Sequence, residues 1–284
     1  MPGATGFLGP YHLLNVVHTG HASLIWQAYD DANKRIVGIK TLRTGGEDRE
    51  QLQFLRQEYL VGRNLKHPRI IEMYAFDWYH GQPYLAMEWF AAPNMKQRLQ
   101  QGWDTLAPLI SKIIEGSAEA LSHFHRMGWV HRDIKPDNFL VTDDGDVKLI
   151  DFALAKRQRR GLAKWLTPRA KIQQGTKSYM SPEQIRGVAL DDRADLYSFA
   201  CTIHELISGK PPFTGANVNE LLTRHLRSTP PSLEALRPGV TPAFASLIRK
   251  ALAKEPSARP ESVDDFLREF RMIRVFRSTP VGNS

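Results

Sequence analysis

The sequence predicts an α+β fold, with a small β-rich portion up to about residue 90 followed by a larger, mainly α-helical one. Two patterns carry that expectation. Residues Tyr11 to Lys40 alternate and turn like a strand meander, whereas Leu106, Leu109, Ile110, Ile113, Ile114, Leu121 and Phe124 recur at helical spacing. A hydrophobic content of 42% over 284 residues is enough for a sizeable core in one or two domains.

In chain order, the meander is followed by a helix-like stretch from about Glu47 to Leu65. Tyr84 to Phe90 then reads as a buried strand leaving toward a loop. Beyond the long helix expected over Leu106 to Phe124, further helices suit 195–208, 216–226, 242–253 and 261–273. Pro230-Pro231 and Arg237-Pro238-Gly239 mark loops between them. No internal repeat is present, and residues 278–284 are polar and expected to fray.

Composition narrows the class without naming it. The net charge of +8 permits contact with nucleic acid or an anionic membrane. Much of the excess, however, sits between Asp151 and Glu183, and no nucleic-acid motif accompanies it. In that segment Lys156, Arg157, Arg159, Arg160, Lys164, Arg169 and Lys171 could steer acidic substrates or cradle a phosphate, or form a solvated loop. The single cysteine, Cys201, excludes an internal disulfide and, in the apolar stretch 199–207, reads as a core thiol. Histidines and cysteines do not combine at metal-ligand spacing. No apolar stretch is long enough to span a bilayer and no signal peptide is seen, so a cytoplasmic location is expected.

The chemistry concentrates in His131-Arg132-Asp133-Ile134-Lys135-Pro136-Asp137-Asn138, followed after a predicted strand by Asp151-Phe152. Phosphoryl transfer needs a carboxylate to accept the proton of the attacking hydroxyl, a role open to Asp133. It also needs Mg²⁺, a hard ion that takes oxygen ligands such as Asn138 and Asp151, with Lys135 adding positive charge. A bare H-R-D triplet could equally brace a turn. The longer run resembles the catalytic loop of protein kinases, H-R-D-x-K-x-x-N, and Asp151-Phe152-Ala153 resembles their D-F-G.

The resemblance implies the two-lobed protein-kinase fold: an N-lobe of about 11–87, a hinge at 88–92 and a mainly helical C-lobe of about 93–276. Residues 1–10 and 277–284 then flank the domain. It implies ATP and Mg²⁺, or Mn²⁺ in its place, and a protein substrate with serine or threonine acceptors. Val37-Gly38-Ile39-Lys40 resembles V-A-I-K, with Lys40 on the α- and β-phosphates and Glu58 as its ion-pair partner. Gly20, Ile25, Gly38, the gatekeeper Met87, the hinge residues Glu88 and Phe90, and Leu140 beneath adenine complete the nucleotide set. Ser181-Pro182-Glu183 resembles A-P-E, with Arg259 as partner of Glu183, and Asp195 matches the aspartate that braces the catalytic loop. Lys135 and Gly175-Thr176 follow the serine/threonine pattern, most similar to bacterial members. Many of those carry a membrane span and sensor; in their place a regulatory protein partner is expected here.

Two glycines depart from the pattern. His18-Thr19-Gly20-His21-Ala22-Ser23 keeps only the middle glycine of G-x-G-x-x-G, which weakens or re-poses nucleotide binding. Ala153 replaces the glycine of D-F-G and should disfavour positive φ there. Arg132 suits regulation by a phosphorylated activation segment, in which Thr167 is the only hydroxyl upstream of Gly175. The rival classes are a nucleotide-binding pseudokinase scaffold and a small-molecule kinase.

Overall fold

The computed structural model describes residues 6–158 and 175–278. The chain divides into two compact units, Met1–Ala91 with Asp151–Leu154, and Ala92–Ile150 with Ala155–Ser284.

The first unit is an antiparallel sheet and one helix. Strands β1 (Phe7–Leu8), β2 (Tyr11–Thr19), β3 (Ser23–Asp30) and β4 (Arg35–Leu42) follow as a meander, then helix α1 (Arg49–Gly62), then β5 (Met73–Tyr79) and β6 (Gln82–Glu88), in the sheet order β1-β2-β3-β4-β6-β5. Alternation decides the faces: Val37 and Ile39 of β4 point to one side and join Leu8, Tyr11, Ala28, Tyr84 and Ala86 in a buried cluster. Gly38 and Lys40 therefore point to the other side. Register carries that face across the sheet, pairing Ile25 and Leu85 with Lys40 and Met87 with Gly38. The helix expected over 47–65 is shorter because Asp48 caps it, accepting from the amides of Glu50 and Gln51.

The second unit is mainly helical. Helices α2 (Met95–Gln100), α3 (Trp103–Leu106) and α4 (Ile110–Arg126) lead into β7 (Trp129–Val130), a 3₁₀ turn at Pro136–Asn138, and the hairpin β8 (Phe139–Val141) and β9 (Val147–Leu149). Strand β10 (Lys156–Arg157) pairs with β7. Then follow α5 (Pro182–Ile185), α6 (Asp192–Ser208), α7 (Val218–Arg227), α8 (Leu233–Leu236), α9 (Pro242–Ala251) and α10 (Val263–Arg271). The long helix expected from Leu106 is broken by a 3₁₀ turn at Ala107–Leu109, where Pro108 cannot donate to the helical ladder. Helix α6 begins one turn earlier than expected because Asp191, three residues upstream of the apolar run, caps it.

Helix α6 is the axis of this unit, with fourteen of its seventeen residues buried. An aromatic chain ties it to its neighbours: Phe199 meets Phe139 at 6.2 Å and Phe266 edge-on at 5.8 Å, and Phe270 stacks on Phe266 at 6.2 Å. Cys201 is fully buried within α6, and burial pushes its thiol well above the ordinary value. Among the described residues, no helix is long and apolar enough to cross a membrane.

Candidate active site

In the first unit, Lys40 Nζ donates to Glu58 Oε2 at 2.6 Å, the pair expected from sequence. Both side chains are largely buried, at 18% and 3% exposure, so little water competes with the contact. Burial alone would lower the ammonium, but the attraction of Glu58 and then Asp151 wins and holds Lys40 above its ordinary value. Ile25, Gly38 and Met87 share the sheet face of Lys40 by register. A β-carbon on Gly38 would stand 3.3 Å from Met87 Cγ and 3.5 Å from Glu88 O, so glycine lets β4 lie close to the end of β6. Glu88 donates its amide to Glu72 O at 2.8 Å. Phe90 follows β6 in partly buried backbone, and Gly20 sits in the β2–β3 turn, its amide closing onto Ser23 O at 2.9 Å.

Asp151 adopts φ of 65°, in the left-handed region. Ala153 is not among the positive-φ residues, so its β-carbon meets no backbone penalty of the kind expected from D-F-A. The positive φ falls two residues earlier, at Asp151.

The second unit assembles Asp133, Lys135 and Asn138 around one carboxylate. Asp133 Oδ1 accepts the amide of Thr176 at 2.8 Å, and Oδ2 meets Lys135 Nζ at 2.8 Å. Lys135 Nζ also donates to Thr176 Oγ1 at 2.9 Å, so Thr176 braces both residues. Asn138 commits its amide nitrogen to Asp133 O at 2.7 Å, which leaves Oδ1 as its remaining polar atom. Gly175, with φ of 117°, lets the chain pass close by: a β-carbon there would stand 3.0 Å from Arg132 O and 3.6 Å from Asp133 Oδ1. Leu140 lies on β8, paired with Lys148 and bridged to Asn94.

Asp195 anchors this loop from α6. Fully buried, it accepts the amides of His131 at 2.6 Å and Arg132 at 2.8 Å, and meets His125 Nε2 at 2.8 Å. Burial would raise its carboxyl, but the hydrogen bond and charge of His125, with the charge of His131 and the Arg132 amide, hold it below the ordinary value. These contacts fix Arg132 at φ of 73°. Arg132 Nε and Nη1 are buried without a partner among the described residues, and burial pulls the guanidinium below its ordinary value. Further down, Glu183 and Arg259 form a buried two-pronged pair at 2.6 and 2.8 Å, as the A-P-E resemblance implies.

Sequence reasoning missed His125, which meets Asp195 across 70 positions of chain and carries no local signal. It also missed Gln184, whose side chain donates to Arg132 O at 2.8 Å. The capping box of Ser181 with Gln184 was a readable sign that this residue is fixed. Thr167 and the basic residues from Arg159 to Lys171 lie outside the described residues.

The lysine–glutamate pair of the first unit and the carboxylate held by lysine and threonine in the second are each features of the protein kinase class. The protein kinase domain family matches residues 11–269, and the chain belongs to it. It is 34% identical to a probable serine/threonine-protein kinase of Streptomyces coelicolor, over 90% of this chain and 39% of that protein. It is 30% identical to the probable serine/threonine-protein kinase PknB of Bifidobacterium longum, over 91% and 39%. Identity to the serine/threonine-protein kinase PknD of Mycobacterium tuberculosis is 31%, over 93% and 40%. The chain thus spans about two fifths of the length of these relatives.

Proposed function

We propose that this chain transfers the γ-phosphoryl group of ATP to serine and threonine hydroxyls of protein substrates, with Asp133 as the proton acceptor. The observation that supports this most is the closed set of Asp133, Lys135, Thr176 and Asn138, in which Thr176 and Lys135 hold the Asp133 carboxylate and Asn138 holds its main-chain carbonyl. A carboxylate so held keeps its geometry without reorganising as the proton moves. Lys135 places a positive charge beside it, where negative charge gathers on the phosphoryl oxygens.

Lys40, fixed by Glu58, is the proposed anchor of the α- and β-phosphates. Ile25, Gly38, Met87 and the backbone of Glu88 and Phe90 are the proposed adenine contacts of the first unit, and Leu140 is the contact proposed for the second from the family resemblance. Gly20 fits a phosphate's approach: its φ is not positive and a β-carbon would make only ordinary contact with Ser23, so the fold itself asks for no glycine. Asn138 Oδ1 and the Asp151 carboxylate are hard oxygen donors suited to Mg²⁺, or Mn²⁺. When bound, that ion offsets charge on the phosphate oxygens.

Arg132, whose Nε and Nη1 have no partner among the described residues, supports regulation by phosphorylation at Thr167, whose phosphate could pair with it. Thr167→Ala should then lose activity; phosphopeptide maps showing Thr167 unmodified in fully active protein would overturn this point. The buried lone thiol suits a cytoplasmic location, with input from a regulatory partner.

The test incubates the protein with ATP, Mg²⁺ or Mn²⁺ and a generic basic protein, beside Lys40→Met. Phosphoserine or phosphothreonine lost in the variant supports the reading. ATP binding without transfer favours the scaffold, and transfer only to aminoglycosides or similar metabolites favours the small-molecule kinase.

A further inference from the structure

Gln184 lies in the short helix α5, where one side chain answers two different demands. The helix opens on a capping box: the Gln184 amide donates to Ser181 Oγ at 3.3 Å, and Gln184 Oε1 accepts the Ser181 amide at 3.4 Å. A glutamate would close that box equally well. The other arm of the side chain needs the carboxamide, because Nε2 donates to the carbonyl of Arg132 at 2.8 Å, across 52 positions of chain. A carboxylate has no proton for that carbonyl, and an apolar side chain serves neither partner. The contact is shielded, since Gln184 is 8% exposed. It is also crowded: a β-carbon on Gly175 would stand 3.3 Å from Gln184 Nε2 and 3.0 Å from Arg132 O.

We propose that Gln184 is a positioning residue for Asp133, acting through the peptide plane between Arg132 and Asp133. Arg132 holds a left-handed φ of 73°, which a residue with a side chain keeps only when its surroundings impose it. Its amide is held by Asp195 Oδ1 at 2.8 Å and its carbonyl by Gln184. These two anchors lie on opposite sides of the Arg132 α-carbon, so together they fix both torsions there. The Arg132 carbonyl shares its plane with the Asp133 amide. Rotating that plane swings the Asp133 α-carbon and carries its carboxylate off the Thr176 amide, which meets Oδ1 at 2.8 Å. Helix α5 thereby sets the direction of a carboxylate that belongs to another loop.

The experiment compares wild type with three variants. Gln184→Glu keeps the cap and loses the donor, Gln184→Met loses both, and Ser181→Ala loses the hydroxyl of the cap and keeps the donor. Hydrogen exchange of peptides covering 131–135 is read without nucleotide, followed by ATP affinity, kcat and KM. Both Gln184 variants should speed exchange at 131–135 by about tenfold or more. At about pH 8 both should lower kcat by about tenfold or more, with ATP affinity and KM within about threefold of wild type. Ser181→Ala should keep kcat within about threefold. A carboxyl group donates once it is protonated, so kcat of Gln184→Glu relative to wild type should rise at least about threefold from about pH 8 to about pH 5.5, while that of Gln184→Met stays flat. Wild-type exchange, or wild-type kcat at the higher pH, in Gln184→Glu overturns the proposal. So does a Gln184→Glu ratio that fails to rise with acid. A kcat loss that Ser181→Ala reproduces also overturns it, because the integrity of α5 rather than the donor would then be at work. If Gln184→Met does not fold, Gln184→Glu and Ser181→Ala decide alone. Only the kcat arms rest on the proposed function; should wild type transfer no phosphate, that function fails while the exchange result still judges Gln184.

Discussion

Replacing Asp195 by asparagine changes almost no volume and removes one acceptor, which makes it a sharp probe of what holds the catalytic loop. Oδ1 of Asp195 accepts the Arg132 amide at 2.8 Å, while Oδ2 accepts the His131 amide at 2.6 Å and meets His125 at 2.8 Å. An asparagine has one carbonyl oxygen. Whichever way it turns, its NH₂ faces one of the two backbone N–H donors in a fully buried site. An opposed buried donor costs about 1–3 kcal/mol. Arg132, held at φ of 73°, adds a left-handed strain of about 1–2 kcal/mol that the lost contact no longer offsets. The total is roughly 2–5 kcal/mol, or a melting temperature lower by about 4–20 °C for a unit of this size. The assay is thermal unfolding by calorimetry beside kcat, which should fall at least about tenfold as Arg132 and Asp133 shift. Asp143→Asn, at a side chain 94% exposed, is the control and should cost less than about 0.5 kcal/mol. A melting temperature within about 2 °C of wild type, with unchanged kcat, would refute the anchoring role of Asp195.

Arg259→Met should destabilise by about 3–5 kcal/mol in urea unfolding, because it leaves Glu183 buried and unpaired, whereas Arg259→Met with Glu183→Met should recover much of that loss. Gly175→Ala should lower kcat by at least about tenfold and cost about 2 kcal/mol, since φ is 117° and the new methyl meets Arg132 O; wild-type kinetics would contradict this. His225 supplies a pH dependence. Burial first, and the nearby Lys254 charge second, depress it from 6.5 to about 4, although a backbone contact with Ser178 opposes the shift. The unfolded chain therefore takes up a proton that the folded one refuses between those values, so stability falls as pH drops from 6.5 toward 4. Between pH 7.5 and 5 the His225 share of the loss is about 2 kcal/mol, and His225→Phe should lose that much less in urea titrations at the two pH values.

The legible parts of the site were those whose residues stand close together in sequence. Asp133, Lys135 and Asn138 fall within six positions, so one loop must bring them near each other, and the Asp133–Lys135–Thr176 contacts followed the expected pattern. Lys40 with Glu58 was legible through the resemblance to V-A-I-K and its helix glutamate, and the two meet at 2.6 Å. Helix ends shifted where a capping side chain lay outside the apolar run, as Asp48 and Asp191 did, and at Pro108. His125 and Gln184 were hidden because their roles depend on neighbours brought together by packing, which periodicity does not encode. Ala153 shows the same limit: D-F-A located the strain, but only the backbone put it on Asp151.

The account turns on the Asp133 carboxylate as the group that takes the substrate proton. The most direct measurement is the single-turnover transfer of phosphate to protein serine and threonine by wild type and Asp133→Asn, with ATP affinity measured in parallel. The account expects Asp133→Asn to bind ATP within about threefold of wild type and to transfer at least about a hundredfold more slowly. Transfer at the wild-type rate in Asp133→Asn would contradict it.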